Sequence, residues 1–110
     1  MSHELPGTRR LALSVVLRAI HDMKNKGAIN TTAPTRQERN DAIVWLCSRK
    51  AAAWFDGAGI NQWNVLLAND WGSHARDVLD GGLLSEEQQD VVLQSLKAFA
   101  VVKDKIDRGF

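Results

Sequence analysis

The chain has 110 residues, 45% of them hydrophobic, and a net charge of +1, which suits one folded domain with a modest core and excludes wholesale disorder. Its one cysteine, Cys47, excludes an intramolecular disulfide, and with no signal peptide in view we expect a cytoplasmic protein. Ser14 and Arg18 interrupt the longest apolar run, LALSVVLRAI, so we expect no membrane contact.

Helical signals follow one another along the chain and predict a single all-α domain of five to six helices over residues 1–110. A long N-terminal helix and a long C-terminal helix are expected to pack on a helix-turn-helix-like centre. The predicted elements in chain order are a helix at 8–26, a loop at 27–34, a helix at 35–48, the helix-turn-helix-like centre at 49–69, a short helix at 73–80 and a helix at 85–106.

Capping residues set the expected helix starts. Thr8 is predicted to cap the first helix, Ser48 to end the second helix or cap the third, and Asn61 to cap the fourth. Capping boxes begin at Thr35, with Glu three residues later, and at Ser85, with Gln three residues later. The first helix is apolar on more than one stripe, which predicts either a central position or a homodimer through residues 8–26.

The segment WFDGAGINQWNVLLANDW, at 54–71, holds three of the four tryptophans and suggests two short helices joined by a glycine turn. With Gly59 in the turn, the apolar positions of a helix-turn-helix would be Trp54, Ala58, Ile60, Val65 and Ala68. Phe55 does not fit, because that position usually holds alanine. The alternative register places Gly57 in the turn and buries Trp63.

Residues 41–66, DAIVWLCSRKAAAWFDGAGINQWNVL, resemble a group of small phage and prophage proteins. The matching residues are Ala42, Trp45, Leu46, Ser48, Trp54 or Phe55, Ala58, Gly59, Ile60 and Val65. The resemblance covers roughly a quarter of the chain and implies a helical protein with a helix-turn-helix-like core. The resemblance implies less about the protein's function, since most of these positions are core or turn positions.

The leading functional hypothesis is a phage-type regulator or packaging accessory that binds double-stranded DNA. Asn61, Gln62 and Asn64 lie on the expected outer face of the second helix of the motif, and such side chains pair with adenine edges. The cations expected to contact phosphates are Arg49, Lys50, Arg36 and Arg39. Residues 1–50 carry a net charge of +5, although residues 51–82 carry −3.

The competing hypothesis is a protein-interaction module, such as a phage factor that modulates a host protein. Its surface would be Trp63 and Leu67 with an acidic rim of Asp56, Asp70 and Asp77. A third reading is a structural oligomer built on the first helix.

Catalytic and metal chemistry is not indicated by any motif. His3, His21 and His74 have no metal-ligand spacing, and Cys47 in an apolar helix is more typical of a core residue than of a nucleophile. We therefore expect a protein that is not an enzyme and has no cofactor.

Overall fold

A computed structural model describes residues 6–25, 36–82 and 84–108. These ranges contain six α-helices and no strand: α1 (Pro6–Lys24), α2 (Arg36–Leu46), α3 (Arg49–Ala58), α4 (Gln62–Ala68), α5 (Trp71–Gly81) and α6 (Glu86–Asp107). The predicted all-α class is confirmed. The loop expected at 27–34 and the cap expected at Thr35 lie outside the described residues. None of the six helices has the length and apolarity that a bilayer crossing needs.

Three of the helix starts are capped as the sequence predicts. The Ser48 hydroxyl accepts a hydrogen bond from the Ala51 amide at 3.2 Å, and the Asn61 side chain accepts one from the Asn64 amide at 3.0 Å. Ser85 opens α6 with a complete capping box.

The cap predicted at Thr8 is wrong, because α1 already includes Pro6 and Thr8 lies within its first turn. A proline suits this position, since its φ angle is preset and the helix needs no amide donor there.

The turn between α3 and α4 is fixed by Gly59, whose φ of 73° lies in the left-handed region. The Gly59 amide donates to the Asp56 carbonyl at 3.0 Å, and the Ile60 amide donates to the Phe55 carbonyl at 3.1 Å. These two bonds form the Schellman pattern that ends a helix at a glycine. The alternative register is therefore wrong, because Gly57 lies within α3.

The buried stripe of α3–α4 differs from the predicted helix-turn-helix pattern. Trp54 is 39% exposed and Ala68 is exposed, whereas Phe55 and Leu66 are each 1% exposed. The reason is helical spacing: Phe55 lies on the same stripe of α3 as the buried Ala51 and Ala58, and Trp54 lies off it. The bulky Phe55 therefore belongs to the core.

Helix α2 lies at the centre of the fold and contacts α1, α3, α5 and α6. Helix α1 packs on α2 and α3, and α6 packs on α5, α4 and α2. The two long helices thus cover different sides of the shorter ones. The largest fully buried side chains are Trp71, Phe55, Met23, Ile43, Leu46, Leu66, Val16 and Val92.

The junction of α2, α5 and α6 is built around Trp71. Its indole Nε1 donates a buried hydrogen bond to the Ile43 carbonyl at 2.9 Å, and its ring lies 5.7 Å from the Phe99 ring at 56°. Gly72 permits the close approach of α6, because a Cβ there would lie only 2.8 Å from Phe99 Cε1.

We predict that Gly72→Ala is less stable than Gly81→Ala. Both changes favour the helical backbone, but only the first forces a methyl group onto the buried Phe99 ring, since a Cβ at Gly81 meets nothing within 4 Å. Overpacking of this kind costs roughly 1–3 kcal/mol. Urea unfolding of the two variants measures the difference, and equal free energies of unfolding would contradict the tight α5–α6 approach.

Candidate functional site

An open groove of about 890 Å³ runs between α2 and α6. We call it the α2–α6 groove. Its apolar lining comes from Val44, Trp45, Cys47, Trp63, Val91 and Ala98, and its polar lining from Asp41, Ser48, Arg49, Lys50, Gln88, Gln94 and Ser95. Four segments of the chain therefore meet there: α2, the start of α3, α4 and α6.

The two long walls of the groove run in the same direction. Near the start of α6, Gln88 Nε2 donates to Asp41 Oδ1 at 3.3 Å. Two turns further along, Ser95 hydrogen-bonds to the Cys47 thiol just after the end of α2. The groove therefore has a first end at Asp41 and Gln88 and a second end beyond Cys47.

Two of the four tryptophans line this groove. Trp45 and Trp63 are both half-buried and pack against the core with part of their surface. Trp71 is fully buried, and Trp54 is exposed on α3 and does not line the groove. Tryptophan presents a large rigid surface, and half-buried tryptophans are typical anchors of protein interfaces.

The two ends of the groove differ in charge. Arg49 and Lys50 are exposed at the second end, in the first turn of α3. Asp41 is exposed at the first end. The apolar floor thus joins an acidic end to a basic end.

The predicted base-reading side chains are largely engaged within the fold. Gln62 Nε2 donates to the Leu46 carbonyl at 2.9 Å and to the Ser48 carbonyl at 3.2 Å, which ties α4 to the end of α2. The Asn61 side-chain oxygen caps α4. Asn64 is exposed.

The predicted phosphate contacts separate into two groups. Arg36, Arg49 and Lys50 are exposed, but Arg39 is an internal brace whose side chain is only 12% exposed. Arg39 Nε donates to the Met23 carbonyl of α1 at 2.9 Å.

The Arg39 guanidinium also reaches α5. Its Nη2 lies 3.2 Å from His74 Nδ1 and 3.5 Å from Asp77 Oδ2. A guanidinium can only donate, so His74 Nδ1 accepts this hydrogen bond. Arg39 therefore joins three helices.

The predicted protein-binding residues do not form one surface. Trp63 lines the groove, whereas Leu67 is half-buried against the core. Asp56 is exposed on α3, and Asp70 lines a separate depression of about 260 Å³ between α5 and α6. Asp77 pairs with Arg39. None of the three aspartates of the expected acidic rim lines the groove. The groove residues that accompany Trp63 instead include the cations Arg49 and Lys50.

Several groove residues were not predicted from the sequence. Trp45 and Val44 lie on α2, and Val91 and Ala98 come from α6, more than forty residues away. The available signal in the sequence was the wide apolar surface of α6, which has apolar residues at the three successive positions 91–93. That width indicates a second apolar contact but does not say which helix lies opposite.

Cys47 lines the groove without being activated. Its thiol donates to the Val44 carbonyl at 3.2 Å, and burial raises the pKa of the Cys47 thiol above its ordinary value, against a smaller opposing effect of the Ser95 hydrogen bond. The described residues also hold no group of three His, Cys, Asp or Glu side chains that suits a metal ion. The expectation that the chain is not an enzyme stays a prediction.

Compared with protein-family models, with curated proteins and with solved structures, the chain matches none. The resemblance of residues 41–66 to small phage proteins therefore stays a prediction.

We predict that Arg39→Gln destabilises the fold by roughly 1.5–3 kcal/mol, because it removes charged hydrogen bonds and leaves the Met23 carbonyl without its donor. The matched control is Arg36→Gln on the exposed start of α2, for which we expect a change within about 0.5 kcal/mol. Thermal and urea unfolding measure both variants. Equal stabilities would show that Arg39 is not an internal brace.

We predict that iodoacetamide alkylates Cys47 more slowly in the folded protein than in the guanidinium-unfolded chain. Because the pKa of the Cys47 thiol is raised, a smaller fraction of it is the reactive thiolate at any pH below that pKa. The alkylation rate should therefore keep rising with pH beyond the range in which an ordinary thiol titrates. Mass spectrometry of timed samples gives the rates. A folded protein that reacts as fast as the unfolded chain at about pH 8 would contradict this environment.

Proposed function

We propose that the protein is an interaction module that binds an amphipathic helix of a partner protein in the α2–α6 groove. The observation that supports this is the open apolar groove of about 890 Å³ in which Trp45 and Trp63 keep part of their surface exposed. An apolar surface that the fold leaves uncovered between two helices is typical of a docking site.

The shape of the groove favours a helix over other ligands. Its wall on α6 extends from Gln88 to Ala98, which is about 15 Å or three helical turns. A guest helix of that length presents apolar residues at i, i+4 and i+7 along one stripe, in the manner of helix-in-groove recognition. The floor between the two ends offers mainly apolar side chains with Gln94 and Ser95 beside them, which favours an extended apolar stripe.

The two tryptophans are the expected anchors of the interface. A large aromatic side chain surrounded by smaller contacts usually carries a disproportionate share of binding free energy, on the order of 2 kcal/mol or more. Trp63 is held in place because Gln62 fixes the start of α4 to the end of α2. The anchor is therefore positioned before the partner arrives, which lowers the entropy lost on binding.

The nucleic-acid hypothesis is less well supported by the same geometry. Gln62 and Asn61 already make hydrogen bonds within the fold, and Arg39 is internal. The groove offers two cations, Arg49 and Lys50, against Asp41. Two phosphate contacts release about two counterions, which gives little affinity at physiological salt. DNA binding is therefore the competing outcome of the test.

The test selects binders from a displayed library of helix-forming peptides of about 15 residues, with the purified protein as target. We expect selected peptides with an i, i+4, i+7 apolar stripe, and calorimetry of one synthetic peptide should show at least about tenfold weaker binding to Trp63→Ala. The matched control is Trp54→Ala, which changes a tryptophan that lies outside the groove and should leave the affinity unchanged. Circular dichroism checks that both variants fold.

Two results would overturn the proposal. The first is a library that yields no peptide with such a stripe. The second is a selected peptide whose affinity falls for Trp54→Ala and not for Trp63→Ala. A parallel titration with mixed-sequence duplex DNA tests the competing hypothesis of DNA binding. That hypothesis requires an affinity that falls steeply as the salt concentration rises.

A further inference from the structure

We infer that the α2–α6 groove is directional and selects a helix with acidic residues at its C-terminal end, bound parallel to α2 and α6. This inference rests on the proposed function, because it names the polarity and charge of the helix that the groove accepts. The observation behind it is the placement of Arg49 and Lys50 at one end of the groove and of Asp41 at the other.

The second end of the groove attracts negative charge. Arg49 and Lys50 supply two full positive charges, and the α3 N-terminus adds about half a charge, which offsets the half negative charge of the α2 C-terminus beside it. The local sum remains close to +2. The C-terminal end of a guest helix, with its own negative dipole and any Asp or Glu side chains, is favoured there.

The first end attracts positive charge. Asp41 is exposed there, and α6 begins with Glu86 and Glu87 in its first turn, which neutralise the positive end of the α6 dipole. The N-terminal end of a guest helix carries the positive dipole and suits this end. Both ends therefore favour the same orientation.

The repulsion between the dipoles of parallel helices is weaker than the attraction of these side-chain charges for the ends of the guest helix. Dipoles of parallel neighbours repel, but each acts as only about half a charge at its ends, whereas Arg49 and Lys50 carry full charges at the rim. The apolar floor fits a leucine stripe in either direction, so the ends of the groove decide the orientation. Exposed rim charges of this kind contribute more to specificity than to affinity.

The orientation is measured with one synthetic selected peptide, labelled with a nitroxide at its N-terminus or at its C-terminus, bound to nitrogen-15-labelled protein. We expect the N-terminal label to broaden the amide signal of Gln88 and the C-terminal label to broaden those of Arg49 and Ala98. The reverse pattern, or equal broadening at both ends, would overturn the inference while leaving a helix-binding groove in place. A library without binders would instead overturn the proposed function.

The charge preference is tested by the double variant R49E/K50E. We expect it to bind the selected peptide about tenfold more weakly at low salt and to bind a peptide with Lys in place of its C-terminal Glu or Asp more tightly than the native protein does. The matched control, D56K/D70K, changes two exposed charges that lie outside the groove and should have no such effect.

Equal affinities of the native protein and R49E/K50E for both peptides would overturn the charge preference. Sedimentation of the protein without peptide tests whether a second copy of this chain binds in the groove. Self-association that R49E/K50E or Trp63→Ala abolishes, and D56K/D70K does not, would also overturn the inference.

Discussion

The buried Trp71 side chain joins α5 to two other helices of the fold. Its indole donates to the Ile43 carbonyl of α2, and its ring lies against Phe99 of α6, so one residue of α5 fixes the positions of two other helices. A buried indole N–H without a partner would cost on the order of 1–3 kcal/mol. This requirement leaves Trp71 little freedom, and α5 therefore holds α2 and α6 together from one side.

The α2–α6 groove follows from that arrangement and from the way α2 ends. At Ser48 the chain leaves α2 and starts α3 with Arg49 and Lys50, which brings two cations to one end of the groove. Gln62 then binds the Leu46 and Ser48 carbonyls and places Trp63 over the same end. Gln62, which the sequence suggested as a base-reading residue, thus holds α4 in place as one wall of the groove.

Local features of the fold were predictable because they depend on neighbouring residues. Ser48, Asn61 and the Ser85–Gln88 box cap their helices as expected, since a cap needs only the next three residues. Helix starts can still be misjudged, as at Thr8, where Pro6 already belongs to α1.

Which side of a helix is buried was harder to predict. The turn at Gly59 was correct, but the buried stripe includes Phe55 and Leu66 where the motif predicted Trp54 and Ala68. Nothing in the sequence indicated that Arg39 would join α1 to α5. Nor did it indicate that Val91 would line a groove opposite α2. Such pairings depend on tertiary packing between distant segments, and one sequence does not specify them.

The most direct measurement is the affinity of one selected helical peptide for the variants Val91→Trp and Leu93→Trp. Both add a bulky side chain to an exposed apolar position of α6, 37% and 47% exposed respectively, but only Val91 lines the groove. If the groove is the binding site, Val91→Trp should fill it and weaken binding by at least about tenfold, while Leu93→Trp binds as the native protein does. Equal affinities of two folded variants would contradict a partner helix in this groove.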